Sequence, residues 1–262
     1  MYTGSPDRSV DRPEESNFLD EMIENKLREI RYRFNPTVLT FPEIFSGEKP
    51  VIIAEIKANS PWDGILFEGK SIPLLRKFEK GGAGAISVVT DEKYFGGGPA
   101  LFSAIRKKTR LQMLWKDLVL NPRQFFEAAE RGADAILLIA SVVNRKQLGL
   151  RSMLDLAESL DLTPIVEVYN ESELEIAVAA EAQLIAVNSR NLYTGEVNME
   201  QSLELVSQIP KDRIALLFSG IKTRDDVLKA HQAGAKGVLV GTALLRADDP
   251  VQKLRELSQS QV

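Results

Sequence analysis

Charged and amide side chains stand at the ends of apolar runs in this sequence. Glu55 and Lys57 lie at the end of the first run, Lys116 follows the third, Glu167 lies in the fifth and Asn188 follows the sixth. Lysines and carboxylates are rarely buried without partners, so their placement in apolar segments indicates proton-transfer chemistry. Mutual ion pairing that serves only the structure is the alternative.

Two short turns of small residues follow the last two apolar runs. They read Ser219-Gly220 and Gly241-Thr242, and each leads into a helical pattern. Small residues let backbone N–H groups approach a ligand closely, and this arrangement suits a phosphate group. Tight turns without a ligand are the alternative.

Eight apolar runs, alternating with helical patterns, must position these residues. Each run is almost continuously apolar, which is typical of parallel strands buried on both faces. Alternation of strand and helix predicts βαβ units. The runs are residues 51–56, 85–89, 111–115, 135–139, 164–168, 184–187, 214–218 and 237–240. The helical patterns include residues 72–80, 122–131, 145–159, 171–180 and 224–233.

A glycine-containing turn recurs ahead of several strands. Segments 82–86, 132–136 and 234–238 each end a helix with glycine and then enter a strand, and 181–185 repeats the pattern without glycine. Glycine suits the left-handed position that ends a helix. Eight units with this internal repeat favour a closed (βα)₈ barrel over an open doubly wound sheet. The active site of such a barrel lies at the mouth, where the carboxyl ends of the strands meet.

The chain ahead of the first strand is predicted to have two parts. Residues 1–16 are polar and are interpreted as a disordered tail, and residues 17–262 as one barrel domain. Asn17 is a suitable cap for a helix over residues 18–32, in which Asp20 complements the helix dipole. This helix is extra to a minimal barrel, and we expect it to cover the barrel bottom.

Composition excludes several function classes. The formal net charge of −4 does not suit nucleic-acid binding, and the absence of cysteine excludes disulfides and thiolate metal sites. The single histidine, His231, argues against a His-rich metal site and is interpreted as a helix-surface residue. No apolar stretch approaches the roughly 18 residues of a membrane span. We expect a cytoplasmic monomer that acts on a small aromatic molecule, without a metal, cofactor, nucleic acid or membrane.

Several longer motifs occur in order along the chain. They are Ala54-Glu55-Ile56-Lys57 followed by Ser60-Pro61, residues 90–97, Lys116-Asp117, and residues 164–167, 188–192 and 219–221. With these motifs the chain resembles the indole-3-glycerol phosphate synthase family from about Phe18 to Pro250. That family closes and decarboxylates a carboxyphenylamino-deoxyribulose phosphate to indole glycerol phosphate, and it uses no cofactor.

The resemblance implies a role for each residue of the predicted mouth. Lys116 would be the general acid and Glu167 its partner general acid/base, while Glu55 and Lys57 would assist at the reacting centre. Asn188 and Arg190 would orient the substrate. The phosphate would be bound by Ser219, Gly220, Gly241 and Thr242.

Departures from the family pattern cluster at this mouth. Phe218 stands where the family usually has glutamate, and Leu118 where it usually has phenylalanine. The loop after the first strand continues with Trp62-Asp63 where a serine, then a lysine or small residue, is usual. Ala186 replaces a usual glycine, and Trp115 a common basic residue. Retained carboxylates beside changed apolar residues lead to the hypothesis of an engineered active site.

A more apolar mouth that keeps its carboxylates suits proton abstraction from a flat heteroaromatic ring, as in Kemp elimination of a benzisoxazole. Apolar walls disfavour the charged carboxylate and make it a stronger base, and aromatic faces stack the ring. Glu167 would be the base, with Asp63 or Glu55 as rivals, and Lys116 or Asn188 would meet the phenolate. The lining would comprise Trp62, Trp115, Leu118, Leu137, Phe218, Arg190 and Leu239.

Alternatives remain open for the lining and for the reaction. Strict alternation turns Trp115 toward the helix layer, so packing there competes with a pocket role, and Trp62 could serve loop packing alone. The chain could instead be a working synthase, although the missing strand-seven glutamate should hurt it. A retro-aldolase would use Lys57 or Lys116, whose pKa the nearby carboxylates would raise rather than lower. A ligand-binding barrel without turnover is the last alternative.

Overall fold

Eight parallel strands close into a barrel in the computed structural model, which describes residues 40–258. The barrel strands are β1 (Val51–Ile56), β4 (Ala85–Val89), β5 (Gln112–Lys116), β6 (Ala135–Ile139), β7 (Thr163–Val168), β8 (Leu184–Asn188), β9 (Ile214–Phe218) and β10 (Gly237–Val240). Their order around the barrel is β1-β10-β9-β8-β7-β6-β5-β4. The (βα)₈ prediction is confirmed. The predicted tail and the helix over residues 18–32 lie outside the described residues.

Helices alternate with the barrel strands and cover the barrel wall. They are α1 (Ser71–Gly81), α2 (Glu92–Phe95), α3 (Pro99–Arg106), α4 (Arg123–Glu130), α5 (Ala140–Arg145), α6 (Leu150–Ser159), α7 (Glu171–Ala179), α8 (Met199–Gln208), α9 (Arg224–Gln232), α10 (Thr242–Leu245) and α11 (Pro250–Ser258). A 3₁₀ turn, Glu43–Phe45, precedes β1. Within residues 40–258, no helix has both the length and the apolar character needed to cross a bilayer.

One helix prediction is wrong. Residues 145–159 were expected to form a single helix, but α5 ends at Arg145 and α6 begins at Leu150. Gln147 and Gly149 between them have φ of 53° and 70°, in the left-handed region that a continuous helix cannot contain. The helical periodicity of the two pieces hides this break.

The recurring turns before the strands behave as the repeat predicts. Gly82, Gly132 and Gly234 have φ of 94°, 80° and 114°. Glu181, at the same place in the copy without glycine, has φ of 63°. The repeat therefore imposes the left-handed turn even where a side chain makes it costly.

Side-chain alternation divides the apolar residues into two cores. The inner core fills the barrel, and the outer core lies between the strands and the helices. Inward-facing residues of neighbouring strands lie in layers, as in the pairing of Glu167 with Ala186 and of Asn188 with Phe218. This layering places the polar strand-end residues above the apolar filling.

A two-stranded hairpin in the loop after β1 was not predicted. It consists of β2 (Asn59–Ser60) and β3 (Gly64–Ile65), which pair antiparallel. Strands of two residues are too short to produce a recognisable period in the sequence. The hairpin carries Trp62 and Asp63 at its turn.

Candidate active site

Glu55 and Lys57 form one ion pair at the carboxyl end of β1. Lys57 Nζ lies 2.6 Å from Glu55 Oε2, and both side chains are largely buried. Burial alone would raise the pKa of Glu55, but the charges of Lys57, Lys116 and Arg190 and the Lys57 hydrogen bond outweigh it, so this pKa is lowered. Gly241 packs directly against the Glu55 carboxylate, where a Cβ would overlap Oε2. Glu55 is therefore a fixed anion of the mouth.

Lys116 on β5, Glu167 on β7 and Asn188 on β8 meet at the carboxyl ends of their strands. Asn188 Nδ2 donates a hydrogen bond of 2.9 Å to Glu167 Oε1, and Lys116 Nζ lies 3.8 Å from Glu167 Oε2. Glu167 Oε2 is buried and accepts no hydrogen bond within the described residues. One carboxylate oxygen is thus oriented by Asn188, while the other has no hydrogen-bond donor and lies beside an ammonium group.

A recess adjoins this group at the ends of β6, β7 and β8. The recess is shallow, and its wall includes Glu167, Asn188 and Arg190. The sequence predictions missed the other polar members of its lining, Ser141, Tyr169, Glu173, Asn191 and Tyr193. These residues lie on helix starts and loops after the strands, where no periodic signal marks them.

Among these missed residues, Glu173 has a raised pKa. Burial raises its pKa and the charge of Glu167 raises it further, against hydrogen bonds from Tyr169 N–H and the Asn170 amide. Asn170 Oδ1 in turn accepts from Glu173 N–H and caps α7. The capping pair therefore brings a second carboxyl group to the recess.

Arg190 is held between the hairpin and the loop after β8. Its Nη2 lies 3.1 Å from Asp63 Oδ2, its Nη1 donates to Gly195 O at 2.9 Å, and its Cζ lies 5.5 Å from the centroid of the Trp62 ring. Asn188 Oδ1 accepts from Arg190 N–H at 3.0 Å. The guanidinium is thus tied to residues of the hairpin as well as to its own loop.

The two glycine turns lie at the ends of β9 and β10, as predicted. Ser219 and Gly220 have φ of 65° and 79°, and a Cβ at Gly220 would overlap the sulfur of Met199. Ser219 keeps a left-handed conformation that costs an L-residue about 1–2 kcal/mol, a kind of strain that recurs at functional sites. Thr242 begins α10 directly after Gly241. Phosphate binding at these four residues stays a prediction.

The predicted apolar lining is only partly at the mouth. Trp115 lies in the outer core with its ring centroid 4.9 Å from that of Phe102, so its pocket role is wrong and alternation is the reason. Phe218, Leu137 and Leu239 face into the barrel but are buried in its filling. Phe218 therefore offers no open wall for a ring. Leu118 lies just beyond β5 and is 47% exposed.

A family model and several known proteins match most of this chain. The family model described as indole-3-glycerol phosphate synthase matches residues 14–257. The chain belongs to the indole-3-glycerol phosphate synthase family. It is 41% identical to the synthase of Shouchella clausii over 79% of this chain and 81% of the relative. It is 36% identical to that of Aquifex aeolicus over 94% and 92% of the two chains.

A more distant likeness concerns the fold alone. The thiamine phosphate pyrophosphorylase structure from Pyrococcus furiosus superposes with a TM-score of 0.58 at 17% identity, over 80% of this chain and 94% of that one. At this identity the two proteins share the barrel, and nothing about a common reaction follows.

The hypothesis of an engineered Kemp eliminase is wrong. Family membership spans nearly the whole chain, and the matched relatives are indole-3-glycerol phosphate synthases. The physical premise also fails, because Phe218 is buried in the barrel filling and Trp115 lies in the outer core, so neither offers a wall for a flat ring. The synthase alternative agrees better with these findings, and the chain is accordingly described as a lyase-family enzyme.

Proposed function

We propose that this chain catalyses the indole-3-glycerol phosphate synthase reaction on a carboxyphenylamino-deoxyribulose phosphate. The observation that carries the proposal is a buried Glu167 Oε2 that accepts no hydrogen bond within the described residues and lies 3.8 Å from Lys116 Nζ. An acid and a base held this close, at the carboxyl ends of barrel strands, suit a reaction that needs both proton donation and proton removal.

Lys116 donates a proton to the ketone oxygen of the substrate in the first step. The ring carbon that bears the carboxylate attacks the ketone carbon, so a carbon–carbon bond forms as the oxygen becomes a hydroxyl group. The carboxylate then leaves as carbon dioxide, and its electron pair restores the aromatic ring. The ammonium group of Lys116 is largely buried, which strengthens its effect on developing negative charge.

Glu167 acts in the second half, in which the new hydroxyl leaves as water. The hydroxyl group takes a proton from Lys116, which solvent has protonated again, and the carbon–oxygen bond breaks. Glu167 Oε2 then removes the proton from the carbon next to the nitrogen, and the double bond of the five-membered ring forms. One proton is taken up overall, which balances the carboxylate lost as carbon dioxide. Asn188 keeps the carboxylate in place through its 2.9 Å hydrogen bond.

Glu55 and Lys57 place two fixed charges at the end of β1, across the barrel from Glu167 on β7. Because the pKa of Glu55 is lowered, it stays ionised and holds the Lys57 ammonium at 2.6 Å. Lys57 then presents a fixed positive charge to the anionic substrate. The turns at Ser219-Gly220 and Gly241-Thr242 are the proposed phosphate site.

Phe218 stands where the family pattern has a glutamate, so this chain lacks one carboxylate that could transfer a proton. Its ring is buried in register with Asn188 and Leu239, so no carboxylate projects from β9. Proton transfer in this chain then rests on Lys116 and Glu167. We expect slower turnover than in a relative with glutamate at this position, and faster turnover in Phe218→Glu where that variant folds.

The test is formation of the indole product, followed by its fluorescence, for the unaltered protein and for Glu167→Gln and Lys116→Met. Loss of a general acid or base should lower kcat by about 10²- to 10⁴-fold. Glu256→Gln and Lys253→Met are matched controls on α11, where the two residues pair with each other. A folded protein without turnover, or Glu167→Gln with kcat within threefold of the unaltered protein, would contradict the proposal.

A further inference from the structure

The turn of the β2–β3 hairpin is fastened to two other loops. Asp63 Oδ2 pairs with Arg190 Nη2 at 3.1 Å, and Asp63 O accepts from Arg246 Nη2 at 2.7 Å. Trp62 packs against Gly195, where an added Cβ would overlap the indole ring. We call Trp62, Asp63, Arg190 and Gly195 the hairpin clamp.

Both terminal nitrogens of the Arg190 guanidinium have partners in this clamp. Nη1 donates to Gly195 O, Nη2 faces Asp63, and Cζ lies over the Trp62 ring. The side chains of Arg190 and Asp63 are 19% and 20% exposed, so the pair is partly shielded from solvent. The planar fork of a guanidinium matches a carboxylate, and the Asp63 carboxylate already holds one of its nitrogens, Nη2.

Arg190 also belongs to the catalytic mouth. It lines the recess that contains Glu167 and Asn188, and its charge contributes to the lowered pKa of Glu55. Its backbone N–H is fixed by Asn188 Oδ1. A guanidinium released from Asp63 therefore needs only side-chain rotation to meet a ligand in the recess.

We propose that Asp63 is an internal competitor for Arg190, and that a ligand carboxylate opens the hairpin clamp by replacing Asp63 on the guanidinium. The inference rests on the proposed function, whose substrate carries a ring carboxylate. Asp63 is a positioning residue in this scheme because it acts through Arg190. The exchange makes the enzyme selective for carboxylate-bearing ligands, because a neutral ligand cannot displace Asp63.

If Asp63 competes for Arg190, removing its charge should lower the KM for the substrate. If Asp63 has only a structural role, the same change should not lower it. Asp63→Asn keeps the shape and a hydrogen-bond acceptor but removes the competing charge. KM for the substrate should then fall about two- to fivefold, the range expected for one partly exposed ion pair, with kcat unchanged within twofold. If Asp63 only holds the hairpin in place, the same variant raises KM or lowers kcat. Asp225→Asn, which removes a surface partner of Lys229, is the matched control.

A binding measurement tests the clamp without turnover. The chain has two tryptophans, and Trp62 is 37% exposed while Trp115 is buried. Iodide should therefore quench Trp62 selectively in the unaltered protein, and Trp115→Phe leaves Trp62 as the single tryptophan. Benzoate should change this emission and its quenching, with an apparent Kd that is two- to fivefold lower in Asp63→Asn, as estimated above. Benzamide, the neutral isostere, should not.

The outcomes separate the clamp from the proposed reaction. A benzoate response that tightens in Asp63→Asn supports the clamp even when no indole product forms. Indole formation with an unchanged or raised KM in Asp63→Asn overturns the clamp and leaves the reaction standing. Equal responses to benzoate and benzamide also overturn it, since they show that charge exchange is not the opening step.

Discussion

Lys57→Met would isolate the energy of the buried ion pair on β1. Methionine keeps the length and the apolar stem of lysine but removes the ammonium that lies 2.6 Å from Glu55 Oε2. The Glu55 side chain is only 4% exposed, so water cannot replace the lost partner. The variant therefore leaves a buried carboxylate with fewer compensating charges.

The magnitude follows from what remains around Glu55. Removing one partner of a buried pair typically costs about 3–5 kcal/mol. The charges of Lys116 and Arg190 persist and also favour the ionised form, so we expect a loss of about 3 kcal/mol, at the lower end of that range. For a chain of this size that corresponds to a fall in Tm of roughly 6–12 °C at pH 7.

The difference in Tm between Lys57→Met and the unaltered protein should depend on pH. The folded-state pKa of Glu55 is lowered, so its contribution to stability is present above the unfolded-state pKa and is lost as pH falls through the folded value. Without Lys57, burial raises this pKa against weaker opposition. Glu55 then protonates at higher pH in the variant, and the difference in Tm between the two proteins should shrink as pH is lowered from 7 to 4.

Thermal unfolding followed by circular dichroism between pH 4 and 8 measures this difference. Glu55→Gln combined with Lys57→Met should recover most of the lost stability, because no buried charge then lacks a partner. A Tm for Lys57→Met within 1 °C of the unaltered protein at pH 7 would refute the reasoning. So would a gap that stays constant down to pH 4.

Three further stability predictions can be checked by the same unfolding measurements. Glu181→Gly should have a free energy of unfolding about 0.5–1 kcal/mol above that of Glu181→Ala, because both variants lose the pair with Arg151 and only glycine relieves the left-handed φ of 63°; no difference would mean that the turn is unstrained. Thr223→Ala removes the capping box with Asp226 and should cost about 1 kcal/mol, whereas Thr223→Ser should cost little. Arg106→Met breaks its 2.8 Å pair with Asp134 and should cost about 2 kcal/mol; a loss below 0.5 kcal/mol would contradict it.

The sequence predicts most of the barrel because its signals are local. Continuous apolar runs mark strands buried on both faces, and five of the eight predicted runs have the observed bounds. Alternation then places Glu55, Lys116 and Glu167 on the inner face, since residues two apart share a side of a strand. Alternation also favoured packing over a pocket role for Trp115, and the structure places it in the outer core.

The functional hypothesis went wrong where single substitutions were given too much weight. Phe218 and Trp62 were interpreted as walls of a new pocket, although their exposure and contacts depend on residues far away in sequence. Phe218 is buried in the barrel filling, and Trp62 packs against Gly195 and Arg190. The family motifs, which extend along the whole barrel, were the stronger signal.

Contacts between loops were decided only by the tertiary structure. Asp63 and Arg190 are 127 residues apart, and no periodicity relates a hairpin turn after β1 to the loop after β8. Closing the barrel brings these loops to one rim, where charge and shape complementarity select the partners. The sequence by itself thus determined the strands, their inward-facing residues and the chemistry available at the mouth. The fold alone decided which groups pair there, because pairing depends on distances that only barrel closure sets.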